Sequence, residues 1–383
     1  MTNKTTNKSS LAPTLMVYVV MGFVDIIGVS TGYIKNDFQL DDKIAQLLPS
    51  LVFVWFFIFS VPAGILLERY GKKKILNIGM LVSGLSMVIP ILFYSFESMI
   101  CAFVLLGIGN TVVQVAANPL LHDVVSKDKF SSYMSLSQFI KACCSLAGPI
   151  IAVFMSVQLG DWKLVFLVYA FVTLLTILWL SSTAIKETKS PDRMATFSSC
   201  FSLLKKRSIL LLVLGIFVVV GAEVGMKTNI ANLLQGVHNL SLDNASLAIS
   251  IFFSAQMIGR FIGAISLRFV AIKYFFRTST ILSLIGLFMV LFMPGVWSAR
   301  IGIFVIGLGT SNIFPLIFSI AAQKLPARVN EISGLMIMAI IGGAIIPPFM
   351  GLVSSTIGVL ESFYILLIAF IYLLTLSLYS KTS

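Results

Sequence analysis

Apolar runs about as long as a bilayer is thick recur along this chain, separated by short polar segments. They cover residues 13–34, 45–67, 75–95, 99–122, 132–156, 163–184, 209–231, 246–267, 278–295, 301–323, 332–354 and 360–379. Each run is close to the roughly 20 residues a helix needs to cross a hydrocarbon core. Lipid offers the backbone no hydrogen-bond partners, so each run is expected to be helical. The pattern predicts an all-α membrane protein with twelve transmembrane helices. Its longest polar stretch, Ile185–Ser208, divides them six and six. The expected organisation is an N-terminal six-helix bundle over 1–184, a cytoplasmic linker over 185–208 and a C-terminal six-helix bundle over 209–383. The polar start, Met1–Ser10, leads to no small-residue cleavage site, so the first helix is expected to stay inserted.

Composition agrees with this reading. The chain is 58% hydrophobic and 11% charged, with a mean hydropathy of +1.01, against about 25% charged residues in soluble domains. The net charge of +12 would suggest nucleic acid if the basic residues were clustered on one domain, but they follow the loops instead. One set of alternate loops, with both termini, holds Lys4, Lys8, Arg69, Lys72, Lys73, Lys74, Lys127, Lys129, Lys186, Lys189, Arg193, Lys205, Lys206, Arg207, Arg268, Lys273, Arg277, Lys324, Arg328 and Lys381. The other set holds Lys35, Lys43, Lys163 and Arg300. This bias places both termini in the cytoplasm of a multi-pass protein of the inner (plasma) membrane, and it excludes nucleic acid as a partner. Cys101, Cys143, Cys144 and Cys200 lack metal-ligand spacing with His122 and His238 and read as small apolar fillers. No nucleophile with a base partner, metal cluster or phosphate loop is present, so neither an enzyme nor a cofactor is expected.

Set back from the ends of the apolar runs are five charges, Asp25, Lys141, Glu223, Lys227 and Arg260. A charge there costs at least a few kcal/mol, which makes each a candidate functional group. At about 1.5 Å of rise per residue, Asp25 in the first helix and Lys141 in the fifth both reach the bilayer midplane. Three readings of the two remain open: a coupling pair in which Asp25 takes up a proton, a structural ion bridge, and an anion anchor at Lys141. Glu223 and Lys227, four apart on one helix face, fit a gate or structural pair as well as a substrate contact. For Arg260 the alternatives are capping of carbonyls, a cytoplasmic gate and substrate contact. Amides and aromatic rings on central helices suit a polyhydroxylated ligand. Gln114, Asn118 and Gln138 are preferred because they share the first bundle with Asp25. Asn110, Asn312 and Phe314 complete the set, ahead of Asn229, Asn232, Gln256, Phe23, Phe139 and Phe318. Asn118 precedes Pro119, so it also suits repair of the backbone bonds a proline removes.

The two halves repeat each other. Gly107-Ile108-Gly109-Asn110 in the fourth run is echoed by Gly307-Leu308-Gly309-Thr310 in the tenth, and Gly148-Pro149 by Gly342-Gly343 with Pro347-Pro348. Paired interruptions or close-packing sites in matching helices point to a transport site formed by repeats. Between the second and third runs, Gly64-Ile65-Leu66-Leu67-Glu68-Arg69-Tyr70-Gly71-Lys72-Lys73-Lys74 resembles the G-x-L-x-D-R-x-G-R-[RK]-[RK] signature of the major facilitator superfamily, with Glu68 in place of the aspartate. Its degenerate partner, Gly263-Ala264-Ile265-Ser266-Leu267-Arg268-Phe269-Val270, lacks the acid and the second glycine. The resemblance marks Glu68 and Arg69 as gate or structural charges.

Val115-Ala116-Ala117-Asn118-Pro119, Gly221-Ala222-Glu223-Val224, Ile258-Gly259-Arg260-Phe261-Ile262-Gly263 and Met338-Ala339-Ile340-Ile341-Gly342-Gly343 resemble the fucose:proton symporter family of sugar transporters. That resemblance implies the two-bundle major facilitator fold, alternating access, a sugar-like small-molecule substrate and a proton as coupling ion, with sodium left open. A monomer in the lipid bilayer is expected. The alternatives are an organic-anion or sugar-acid transporter anchored by Lys141, and an exporter. The chain departs from the family where it matters for coupling. Gln114 stands where the family has a coupling glutamate, and Asp25 lies a turn before the position of the family's first-helix acid, near Gly28.

Overall fold

The computed structural model describes residues 8–40, 42–188, 196–240 and 242–379. Lys4, Lys189, Arg193 and Lys381, with most of the polar start and the middle of the linker, lie outside the described residues. Twelve helices among the described residues are long and apolar enough to cross a membrane. They are α1 (Ser9–Asp37), α2 (Leu51–Tyr70), α3 (Lys72–Leu92), α4 (Phe96–Val124), α5 (Lys127–Leu159), α6 (Leu164–Ser182), α7 (Arg207–His238), α8 (Ala248–Ser266), α9 (Ile272–Phe292), α10 (Val296–Lys324), α11 (Pro326–Thr356) and α12 (Val359–Tyr379). Large apolar side chains stay exposed on their outer faces, among them Phe57 on α2, Phe171 and Leu178 on α6, Phe288 on α9 and Ile368 on α12. A chain built for water would bury such groups; here lipid is their solvent.

The helices form two compact units. The first comprises Met1–Phe130, Ser137–Ser202 and Leu325–Met338; the second comprises Ser131–Leu136, Leu203–Lys324 and Ala339–Ser383. The start of α11 is thus part of the first unit, and the segment Ser131–Leu136 of α5 part of the second. Small residues explain how helices come close without a hydrophobic drive in lipid. In the first unit a Cβ on Gly107 would sit 3.0 Å from Val52 Cα of α2, and one on Gly109 would sit 2.7 Å from the Ser83 amide nitrogen of α3. In the second unit a Cβ on Gly307 would meet the Phe252 carbonyl of α8 at 2.8 Å, and one on Gly309 the Ser283 amide nitrogen of α9 at 2.6 Å. The Gly-x-Gly repeat is therefore a repeated packing device, seating α4 against α2 and α3 and α10 against α8 and α9.

The interruptions fall only partly where glycine and proline suggest. In α4 the helix Phe96–Val124 runs unbroken through Gly107, Gly109 and Pro119, and in α5 the helix Phe130–Leu159 runs through Pro149. By contrast α11 tightens into a 3-10 turn at Ala339–Ile341, and α10 is interrupted at Ser311 and Asn312. A further break lies in α1, at the 3-10 turn Phe23–Asp25, with no proline near it. Gly71, with φ at +92°, reverses the chain between α2 and α3 in one residue, a conformation that suits glycine alone.

Candidate functional site

The break in α1 is built by its neighbours. A Cβ at Gly22 would lie 2.8 Å from the Lys141 carbonyl oxygen, so glycine lets α1 touch the α5 backbone. Phe23 is buried, and its ring stacks on Tyr169 of α6 with centroids 3.9 Å apart and planes 8° apart. With those two contacts fixed, the tight turn rotates Asp25 outward: Asp25 is exposed while Phe23, Val24, Ile26 and Ile27 are buried. Its carboxylate accepts a hydrogen bond from Ser145 Oγ of α5. Ser145 Oγ also lies 2.9 Å from the carbonyl oxygen of Lys141, one turn earlier. Lys141 itself is half-buried. Asp25 and the Lys141 backbone are thus joined through a serine that sequence reasoning did not single out.

Two of the predicted amides of the first unit, Asn110 and Asn118, bond α1 just before this turn. Asn110 Nδ2 donates to the Met21 carbonyl at 3.2 Å, and Gln114 Nε2 donates to Asn110 Oδ1 at 2.8 Å. Tyr18, fully buried, donates its hydroxyl to Asn118 Oδ1 at 2.9 Å. Asn110, Gln114, Asn118 and Gln138 are all buried, between 0% and 9% exposed. Asn110 and Asn118 serve first to hold α1 against α4, as buried polar groups must find partners. Gln114 and Gln138, at 6% and 9%, are the more reachable pair.

In the second unit Lys227 holds its ammonium 5.0 Å from the ring centroid of Phe253, a cation–π contact between α7 and α8. Glu223, one turn earlier, is half-buried. Arg260 donates from Nε to the Ser311 carbonyl at 3.4 Å, an acceptor whose helical partner position four residues on is Pro315, which has no N–H to give. That geometry fits its carbonyl-capping alternative. Asn312 is buried, with Nδ2 donating to the Gly259 carbonyl at 2.6 Å; Phe314 is half-buried, its ring 6.5 Å from that of Phe318.

The basic-loop end of the first unit carries a dense polar network. Asn330 of α11 donates to the Glu68 carboxylate, Ser333 donates to the Val115 carbonyl at 2.7 Å, and a Cβ on Gly64 would meet the Asn330 carbonyl at 2.9 Å. Arg69 turns away, its guanidinium 5.4 Å from the Tyr70 ring centroid. Lys72, 5% exposed, donates to the buried Asp123 carboxylate, and the two Glu187 oxygens accept from the Lys72 and Lys73 amides at 2.6 and 3.0 Å. Glu187 thereby caps α3, satisfying donors that every helix start leaves open. In the linker helix Phe197–Ser202, Ser199 donates to Glu331 at 2.6 Å while Arg328 donates to the Ser199 carbonyl at 2.7 Å. Asp123, Glu187, Ser199, Asn330, Glu331 and Ser145 all escaped the sequence reading, and Arg328 entered it only as a loop charge. The acid in the loop signature was the available signal, because a Glu68 at a helix end requires a partner.

Twelve membrane-length helices in two internally repeated units, with charges held midway along them, define a polytopic membrane transporter. The model of the Major Facilitator Superfamily matches residues 14–340, and the chain belongs to that family. It is 27% identical over 385 residues to a glucose/galactose transporter of Brucella abortus, covering 95% of this chain and 92% of that protein. It is 24% identical over 356 residues to the glucose/mannose transporter GlcP of Bacillus subtilis, covering 88% and 86%. The fold is similar to that of the E. coli fucose:proton symporter FucP in the outward conformation, with a TM-score of 0.85 at 19% identity over 98% of both chains.

Proposed function

We propose that this protein imports a sugar, with glucose and galactose as the first candidates, in symport with a proton that binds at Asp25. The observation carrying the proposal is Asp25 itself, an exposed carboxylate set in a broken turn midway along α1 and hydrogen-bonded to α5. Full-length relatives named as sugar transporters support the substrate class. Planar amides match pairs of sugar hydroxyls, and Gln114 and Gln138 are the proposed contacts. Lys141 and Asp25 form the coupling pair. Glu68 with Asn330 closes the basic-loop end, taken as cytoplasmic from the distribution of Lys and Arg. The protein is placed in the bacterial inner membrane as a monomer.

The test is uptake by the purified protein in proteoliposomes, with a panel of neutral sugars and sugar acids and with pH or sodium gradients imposed separately. An inward proton gradient is expected to concentrate a neutral sugar. Asp25→Asn is expected to lose that accumulation while retaining exchange of sugar across the membrane. An Asp25→Asn variant that still concentrates sugar removes Asp25 as the coupling acid. Accumulation driven by sodium alone, or confined to sugar acids and lost in Lys141→Gln, replaces the proposed ion or substrate.

A further inference from the structure

We infer that Ser145 is a positioning residue whose single hydroxyl proton alternates between Asp25 and the Lys141 carbonyl according to whether Asp25 is protonated. The inference rests on the reading of Asp25 as the proton-binding acid. Ser145 Oγ is within hydrogen-bond reach of two acceptors, Asp25 Oδ2 and the Lys141 oxygen at 2.9 Å. A hydroxyl has one proton to donate, so it serves one of them at a time.

An ionised carboxylate accepts only, and the charge-assisted bond wins: Ser145 donates to Asp25. When a proton from water adds to Asp25, the carboxyl gains an O–H and donates it to Ser145 Oγ. Ser145 keeps its own proton, which swings about the C–O bond to the Lys141 carbonyl. One proton has entered, none has left, and each oxygen still has a partner. The α1–α5 hydrogen bond between Asp25 and Ser145 therefore survives protonation with its polarity reversed.

The Lys141 carbonyl lies inside the helix Phe130–Leu159, so it then takes a second donor beside its helical one. Such back-bonding from serine to the carbonyl four residues earlier bends helices. Protonation of α1 is in this way written into the curvature of α5 at Lys141, one turn beyond Gln138. Of the titratable side chains nearby, Tyr169 on α6 interacts electrostatically with Asp25 and with Cys144 of α5, and Lys141 stands one turn before Ser145. Tyr169 is buried, with its ring on Phe23 and its hydroxyl against Gly148.

Infrared difference spectra of the full-length protein in bilayers, recorded between alkaline and acid pH, test this directly. The carboxylic C=O band absent in Asp25→Asn belongs to Asp25. In Ser145→Ala that band is expected at higher frequency, because its O–H has lost its acceptor; Ser145→Thr restores the wild-type position. With carbonyl-13C lysine, the acid-induced amide shift that Lys141→Arg removes is expected to vanish in Ser145→Ala and return in Ser145→Thr. A band unmoved in Ser145→Ala, or no acid-induced band that Asp25→Asn removes, overturns the inference. If the bands behave as expected while vesicles fail to accumulate glucose or galactose, the transport reading falls and the switch stands. If accumulation depends on Asp25 but the band ignores Ser145, the reverse holds.

Discussion

Replacing Lys72 by methionine removes the cation from a pair that water barely reaches, since the two side chains are 6% and 0% exposed. Methionine fills a similar volume, so the principal cost is the buried Asp123 charge left behind. Breaking one side of a buried pair costs about 3–5 kcal/mol. Asp123 keeps a hydrogen bond from the Thr188 amide at 3.1 Å, which sets the expectation at the lower end. About 3 kcal/mol corresponds to roughly a hundredfold in the folding equilibrium. The double variant Lys72→Met with Asp123→Leu removes the charge as well as its partner, and apolar replacement of a whole pair is often near neutral. It is expected to recover at least half of the loss, giving a coupling of about 2 kcal/mol in the double-mutant cycle. Equilibrium unfolding of all four proteins in mixed micelles, followed by tryptophan fluorescence, measures it. A Lys72→Met loss below about 1 kcal/mol, or two single losses that simply add, refutes the reasoning.

Two further outcomes probe the basic-loop end. A Cβ on Gly334 would sit 2.9 Å from the Ser60 carbonyl, so Gly334→Val is expected to force α11 from α2 and break the Asn330–Glu68 bond. Labelling of Val329→Cys, buried beside an intact Asn330, should then accelerate severalfold, and an unchanged rate rejects the clamp. Cys200 is 1% exposed, and burial, helped by the nearby Glu331 charge, pushes its thiol up to about 11. The thiolate is the reactive form, so wild-type alkylation is expected to be slow at neutral pH and to rise as pH approaches that value. Arg328→Gln frees the Ser199 carbonyl but also removes a cation that lowers the Cys200 thiol, so rates are compared per thiolate from their pH dependence; these should rise about tenfold through exposure, and equal per-thiolate rates reject that tether.

The sequence by itself determined the solvent, the secondary structure and the family. Apolar runs of membrane length leave the backbone no choice but the helix, Lys and Arg mark the loops, and Gly64 through Lys74 carries the superfamily signature. It also isolated Asp25, because a carboxylate inside such a run is too costly to be incidental. Tertiary structure decided the partners. The Gly-x-Gly repeats mark close packing rather than breaks, because the contact is made by the backbones of α2, α3, α8 and α9, which no local pattern reveals. The break in α1 arises where Gly22 meets α5 and Phe23 meets Tyr169, two neighbours more than a hundred residues away. Ser145 became visible for the same reason. A serine in a membrane helix is ordinary in sequence, and only the distance to Asp25 gives its one proton two places to go.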